Sequence, residues 1–172
     1  MAKVELGAAK SLQWEGGKAN DKIDRGGLTN MGVTLTTWKS LGYDINHDGV
    51  IDGKDLMLIT RKDAINIYKQ FWNRWKADEI INQSVANILA DWVWCSGSWG
   101  ILIPQRILEL KKDGIVGSAT LAAVNKIDQA MFFDFVQTAR LNFVENICHA
   151  DTSQYRFLGG WKNRINAFTF EP

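Results

Sequence analysis

Two acidic side chains near the front of the chain have the type and surroundings for general acid–base chemistry. Glu15 follows Trp14 and precedes Gly16-Gly17, at the end of a stretch where Val4, Ala8 and Leu12 recur at helical spacing. A carboxyl beside an indole at a helix end can be partly desolvated, which keeps it protonated as a general acid. Glu15 is therefore expected to titrate above its ordinary value of about 4.3. Asp24 opens the Gly-rich segment Asp24-Arg25-Gly26-Gly27, which can fold back toward that helix end. Two carboxyls across a cleft are the minimum apparatus for cleaving a glycosidic bond. One protonates the leaving oxygen, and the other steadies an oxocarbenium-like state or activates water; a separation of about 5–5.5 Å implies retention and about 6.5–9.5 Å inversion. The Thr29 hydroxyl could hold that water, and the glycines let a sugar strand approach the backbone. Trp14, Trp92 and Trp94 are candidates for lining the cleft, although a core position is the commoner fate of an indole. Periodicity alone favours an ordinary helix end followed by a turn, with Glu15 in solvent.

A second acidic segment has the spacing of a cation site. Residues 44–55 read Asp-Ile-Asn-His-Asp-Gly-Val-Ile-Asp-Gly-Lys-Asp. This sets oxygen ligands Asp44, Asn46 and Asp48 at positions 1, 3 and 5 of a twelve-residue calcium loop. Gly49 takes the sharp turn, Val50 offers its backbone carbonyl, and Asp52 and Asp55 fall at positions 9 and 12. Position 12 is Asp where EF-hands prefer a bidentate Glu, and the shorter arm weakens calcium or admits a smaller ion. The loop resembles a dockerin half-repeat as much as an EF-hand, and it occurs once. A structural Ca2+ is expected, with no cofactor required for catalysis; the alternative is a polar turn without an ion.

Cys95-Ser96-Gly97 raises a different chemistry, a cysteine peptidase acting on cell-wall peptides with Cys95 as nucleophile. That requires a His base and an orienting group, and the chain offers only His47, inside the Asp-rich loop, and His149. An inert core cysteine is the commoner case, and so few His and Cys make a catalytic zinc site unexpected. A third reading is a non-catalytic wall-binding module.

The elements that must position these groups are helical. Among 172 residues there are only two prolines, so long helices are barely interrupted. A turn-rich segment follows the first helix, with a small β-ribbon around residues 28–34 and a short helix over 36–41. Ile65, Tyr68, Phe71, Trp72 and Trp75 mark an amphipathic helix, and residues 80–94 are apolar on nearly all sides, as in a buried central helix. Further helices are expected over 101–110, 119–124, 131–147 and 161–168. A net charge of +1 argues against nucleic-acid binding, and no apolar run approaches the roughly 18 residues that span a bilayer. Two cysteines make no disulfide framework, and the first residues lack a secretory h-region. The expectation is a chain made in the cytoplasm without a signal peptide, acting as a monomer and not inserting in membranes.

Glu15-Gly16-Gly17, followed by Asp24-x-Gly26-Gly27-x-Thr29-x-x-Gly32-x-Thr34, resembles glycoside hydrolase family 108, lysozyme-like N-acetylmuramidases also described as secretion activators. The resemblance implies that Glu15, which matches the family's EGG motif, is the catalytic acid. The Glu, Asp and Thr order is also similar to phage-type lysozymes, with one residue fewer between Asp24 and Thr29. Residues 91–125, with Asp91-Trp-Val-Trp-Cys-Ser-Gly, Gln105-Arg106 and Asp113-Gly-Ile-Val-Gly-Ser-Ala-Thr-Leu, resemble the peptidoglycan-binding half that accompanies the family. Residues 140–147 and 157–165 resemble its closing helices. Cys95 stands where the family usually has Asn. The resemblance implies a mostly α, lysozyme-like fold with a small β-ribbon near the active site, a catalytic part over 1–88 and a peptidoglycan-binding part over 89–172, packed as one compact domain. It further implies an endolysin-like action on peptidoglycan in the periplasm or on the cell wall.

Overall fold

Local chemistry sets where each helix begins and ends. The structure, a computed structural model, describes residues 1–14 and 28–172, and the backbone of residues 18 and 19. Glu15, Asp24 and the glycine pairs beside them lie outside the described residues. In chain order the elements are α1 (Val4–Leu12), β1 (Lys18–Ala19), β2 (Thr29–Asn30), β3 (Val33–Thr34), α2 (Leu35–Leu41), α3 (Gly53–Leu58), α4 (Arg61–Arg74), α5 (Gln83–Ser96), α6 (Trp99–Ile107), α7 (Ser118–Lys126), α8 (Gln129–Ala150) and α9 (Tyr155–Asn166). Single 3-10 turns cover Ala77–Glu79 and Thr152–Gln154. The mostly α, lysozyme-like architecture with a small β-ribbon is the one the sequence led us to expect.

The chain divides into two compact units, Ala8–Gln70 and Met1–Gly7 with Phe71–Pro172. In the first, the strands pair antiparallel in the order β1-β2-β3, with Ala19 opposite Thr29 and Asn30 opposite Val33. The two-residue turn between β2 and β3 has positive φ at both Met31 (49°) and Gly32 (78°), the geometry whose twist matches a tight hairpin. Thr34 then caps α2 by accepting from Thr37 N–H at 3.2 Å. At the other end of α2 the Gly42 N–H donates to Trp38 O, and a Cβ on Gly42 would stand 2.4 Å from the Trp38 ring. Val33, Trp38, Leu56 and Tyr68 are fully buried at the centre of this unit.

The second unit is built around α5, whose residues from Ser84 to Val93 are all buried. The Asn82 side chain caps it, accepting from the N–H groups of Ser84 and Val85. α6 packs so closely on α5 that a Cβ on Gly100 would meet backbone atoms of Val93 and Trp92 at 2.6–3.0 Å. Pro104 lies inside α6 and supplies no N–H to the carbonyl four residues back, which is that of Gly100. The Trp75 indole N–H donates to that carbonyl instead, at 3.0 Å, so the proline leaves no unpaired acceptor.

Several elements differ from the sequence reading, as at α6, which runs over Trp99–Ile107 where 101–110 was expected. The central helix starts at Gln83, because the Asn82 cap is a stronger start signal than the apolarity of Ile80. The last helix runs over Tyr155–Asn166, through Gly159-Gly160. The Gln137 amide, which donates to the carbonyls of Ile165 and Phe168, closes its end. Helix α3 has too little apolar periodicity to be seen in sequence, and it forms on a reciprocal cap between Asp52 and Asp55.

Candidate active site

Among the expected catalytic groups, Thr29 is described. It lies half-buried on β2, opposite Ala19 on one side and Thr34 on the other. Its neighbour Asn30 is buried and donates through Nδ2 to Leu56 O at 2.8 Å, which ties the ribbon to α3. The ribbon is tied again where Leu28 approaches Gly53, for a Cβ there would lie 2.9 Å from Leu28 Cδ2. A hydroxyl on this strand is therefore carried by a rigid base, as a positioning residue needs. Trp14, the last described residue before Glu15, is 38% exposed, and its N–H donates to Ser11 O just past the end of α1. An indole this open can offer a face to a sugar.

The other two indoles in the expected substrate set lie on α5. Trp94 is half-buried and meets Phe71 edge-to-face at 5.0 Å. Trp92 is 1% exposed, packs edge-on to Phe143 and lies beneath the Arg140 guanidinium. That ring is core. It has no face for a glycan, so its expected place in the cleft lining is corrected here.

In the Asp-rich loop the side chains at the expected ligand positions accept hydrogen bonds from the loop's own backbone. Asp44 Oδ2 accepts from Gly49 N–H, Asn46 Oδ1 from Asp48 N–H, and Asp48 Oδ1 from Val50 N–H. His47 and Gly49 turn the chain with φ of 60° and 87°. Asp55 is buried, and its oxygens accept from the N–H groups of Ile45, Asn46 and Asp52. Those N–H groups, Asp52 first, hold its carboxyl below the usual range. Asp48 is likewise held low, chiefly by the Lys54 ammonium 3.1 Å from its Oδ2. Asp44 Oδ1 is different: it is buried and has no hydrogen-bond partner. Among the described residues no three His, Cys, Asp or Glu side chains converge as a metal site, so an ion here also needs Asn46 and the Val50 carbonyl.

A further acidic centre was not anticipated as such. Asp91, fully buried on α5, takes Arg140 Nη2 from α8 on Oδ2 at 2.8 Å and Arg164 Nη2 from α9 on Oδ1 at 2.7 Å. Arg140 also donates to Ile88 O. Burial pushes the Asp91 carboxyl up, but the two guanidiniums outweigh it and hold the group far below the usual carboxylate range. The partners are 49 and 73 residues away in sequence, and no local spacing signals them. The exposed Cys95 donates its thiol to Asp91 Oδ2 at 3.8 Å, while the His149 ring lies 3.0 Å from Tyr155 Oη.

Comparison with known proteins identifies the family. Residues 8–97 match the model of the family described as glycosyl hydrolase 108, and residues 99–166 match a model described as a predicted peptidoglycan domain. No curated protein matches the chain. Among solved structures, that of Brucella abortus SagA is similar, with a TM-score of 0.75 and 24% identity over 96% of this chain and 94% of the other, a likeness of fold. No helix among the described residues is long and apolar enough to cross a membrane. Because the first match spans more than half of the sequence, the chain belongs to the glycosyl hydrolase 108 family, a family of glycoside hydrolases, here followed by the region that matches the predicted peptidoglycan domain.

Proposed function

We propose that the protein cleaves the β-1,4 bond between N-acetylmuramic acid and N-acetylglucosamine in peptidoglycan, with Glu15 as general acid. Asp24 is the second carboxylate in this reading, Thr29 positions water or substrate, and Trp14 and Trp94 line the cleft. Residues 1–88 carry the catalysis and 89–172 the wall binding. The observation that supports it most is the family match over 8–97, which contains Glu15, Asp24 and Thr29 together. The rigid footing of Thr29 on the ribbon and the open face of Trp14 beside Glu15 agree with it. A cysteine peptidase has less support, since the Cys95 thiol faces a carboxylate already engaged by two guanidiniums.

The deciding experiment incubates purified sacculi with the wild type, Glu15→Gln and Cys95→Ser. Wild type and Cys95→Ser release new reducing sugar ends. Glu15→Gln loses about a hundredfold or more in rate, the scale of a missing general acid, and with it the alkaline limb of the pH–rate profile. New free amino groups that vanish with Cys95→Ser would replace this reading with the peptidase. Full activity in Glu15→Gln would remove Glu15 from the mechanism.

In the same reading the loop over 44–55 holds a structural Ca2+. The buried, unpartnered Asp44 Oδ1 supports this, because an anionic oxygen without a donor is stabilised by a cation. When bound, the ion would join Asp44, Asn46, Asp48, the Val50 carbonyl, Asp52 and Asp55, whose oxygens also brace the loop by accepting from backbone N–H groups.

A further inference from the structure

Trp99, the first residue of α6, has 55% of its surface exposed, although most of the chain's other indoles are buried or half-buried. Its backbone is anchored on both sides and its ring has one aromatic neighbour. The next residue, Gly100, is pressed against the α5 backbone, and its carbonyl is held by the Trp75 indole at 3.0 Å. The ring itself rests beside Phe143 of α8, centroids 6.0 Å apart and planes tilted by 44°. The preceding residue, Ser98, accepts from Arg74 Nη2 at 3.0 Å. An apolar face of this size, on a backbone fixed at both neighbours and resting against Phe143, loses less entropy on stacking than a ring on a loose loop.

Arg74 supplies a charge one residue away, on the side chain of Ser98. It is half-buried, and among the described residues Ser98 is its hydrogen-bond partner and no carboxylate pairs with it. Exposed Trp with an adjacent polar donor suits a sugar ring, whose C–H face stacks on indole while its hydroxyls and amides seek hydrogen bonds. A guanidinium whose fork is only partly used suits a carboxylate. Peptidoglycan offers both at close quarters, the N-acetylhexosamine rings of the strand and the carboxylates of its stem peptides. The match to the peptidoglycan model begins at residue 99.

Resting on the peptidoglycan reading above, we infer that Trp99 and Arg74 form a glycan-holding platform, with Trp99 stacking on a hexosamine ring and Arg74 taking a stem-peptide carboxylate. The platform acts by retaining the strand; it touches no reacting atom.

The test uses the full chain carrying Glu15→Gln, so that the sacculi are not consumed, and measures pelleting with intact sacculi and with chitin, a β-1,4 N-acetylglucosamine polymer that carries no carboxylate. Trp99→Ala weakens binding about tenfold on both substrates, and Trp99→Phe keeps most of it. Arg74→Gln weakens binding on intact sacculi and leaves binding to chitin unaffected. In the active background Trp99→Ala raises KM on sacculi at constant kcat, the mark of lost uniform binding. The thermal midpoint is unchanged, as expected for a half-exposed ring. Equal pelleting of Trp99→Ala and its parent overturns the platform, as does a loss that appears only together with a lowered midpoint. The two readings fail separately: Trp99-dependent pelleting without any release of reducing ends would sink the hydrolase and keep the platform.

Discussion

The molecule holds two carboxylate-centred clusters that solve the same electrostatic problem in opposite ways. In the loop over 44–55, four aspartates lie within twelve residues, and backbone N–H groups and the exposed Lys54 compensate their charge. Around Asp91 a single carboxylate is stripped of water and answered by guanidiniums from two other helices. The first arrangement is local, so a motif can specify it, and it leaves one oxygen unanswered at Asp44. The second is assembled by tertiary structure and leaves none. Its attraction is strong because water is excluded, and removing one member is correspondingly severe.

Breaking the Asp91 cluster has the largest expected effect. Asp91→Asn leaves two guanidiniums facing a neutral amide in the core and should lower stability by about 3–5 kcal/mol in chemical denaturation. The pH dependence follows from the depressed carboxyl. Its contribution is complete above the unfolded value of about 3.9 and is lost as pH falls below that toward the folded value. The wild type therefore loses stability on acidification below about pH 4, and Asp91→Asn shows a shallower acid limb. Identical limbs in the two proteins would mean that Asp91 is already protonated in the fold.

The loop gives the next effect. Calcium at about a hundredfold excess over its dissociation constant should add roughly 2.7 kcal/mol. For a chain of this length that is a rise of about 5–10 °C in the thermal midpoint, reversed by a chelator. Asp44→Asn should abolish the rise. A midpoint indifferent to calcium in the wild type would make the segment a turn braced by its own backbone, and the contrast between the two clusters would then be one of burial alone.

The same contrast explains what sequence could and could not reveal. The hairpin turn, the Thr34 and Asn82 caps and the loop geometry are written in neighbouring residues, and the structure has them where their spacing implies. The burial of α5 was legible because its apolar residues cover every side. Trp92 and Trp94, two positions apart on one helix, were not separable by sequence. Which indole faces the core depends on Phe143 and Arg140, contributed by α8. Arg140 and Arg164 were invisible for the same reason, since an arginine's partner across 49 or 73 residues leaves no local mark. The exposed ring of Trp99 belongs with these, because its orientation follows from the close approach at Gly100 and from Trp75 compensating for Pro104.

The smallest expected effect sharpens the comparison most closely. Lys54 Nζ lies 3.1 Å from Asp48 Oδ2, with 71% of its side chain exposed, so as an ion pair it is weakly coupled to stability. If the loop is a cation site, that ammonium is a resident competitor for one of its oxygens. Lys54→Met should then leave the calcium-free midpoint unchanged while tightening calcium binding by about two- to fivefold in a titration at low ionic strength. The gain should shrink in molar salt, where the screening length falls to about 3 Å. Weaker binding in Lys54→Met would mean that the lysine shapes the loop instead of competing for it. An equivalent charge removal at Arg164 cannot behave this way, because the buried carboxylate it answers has no solvent cation to replace it.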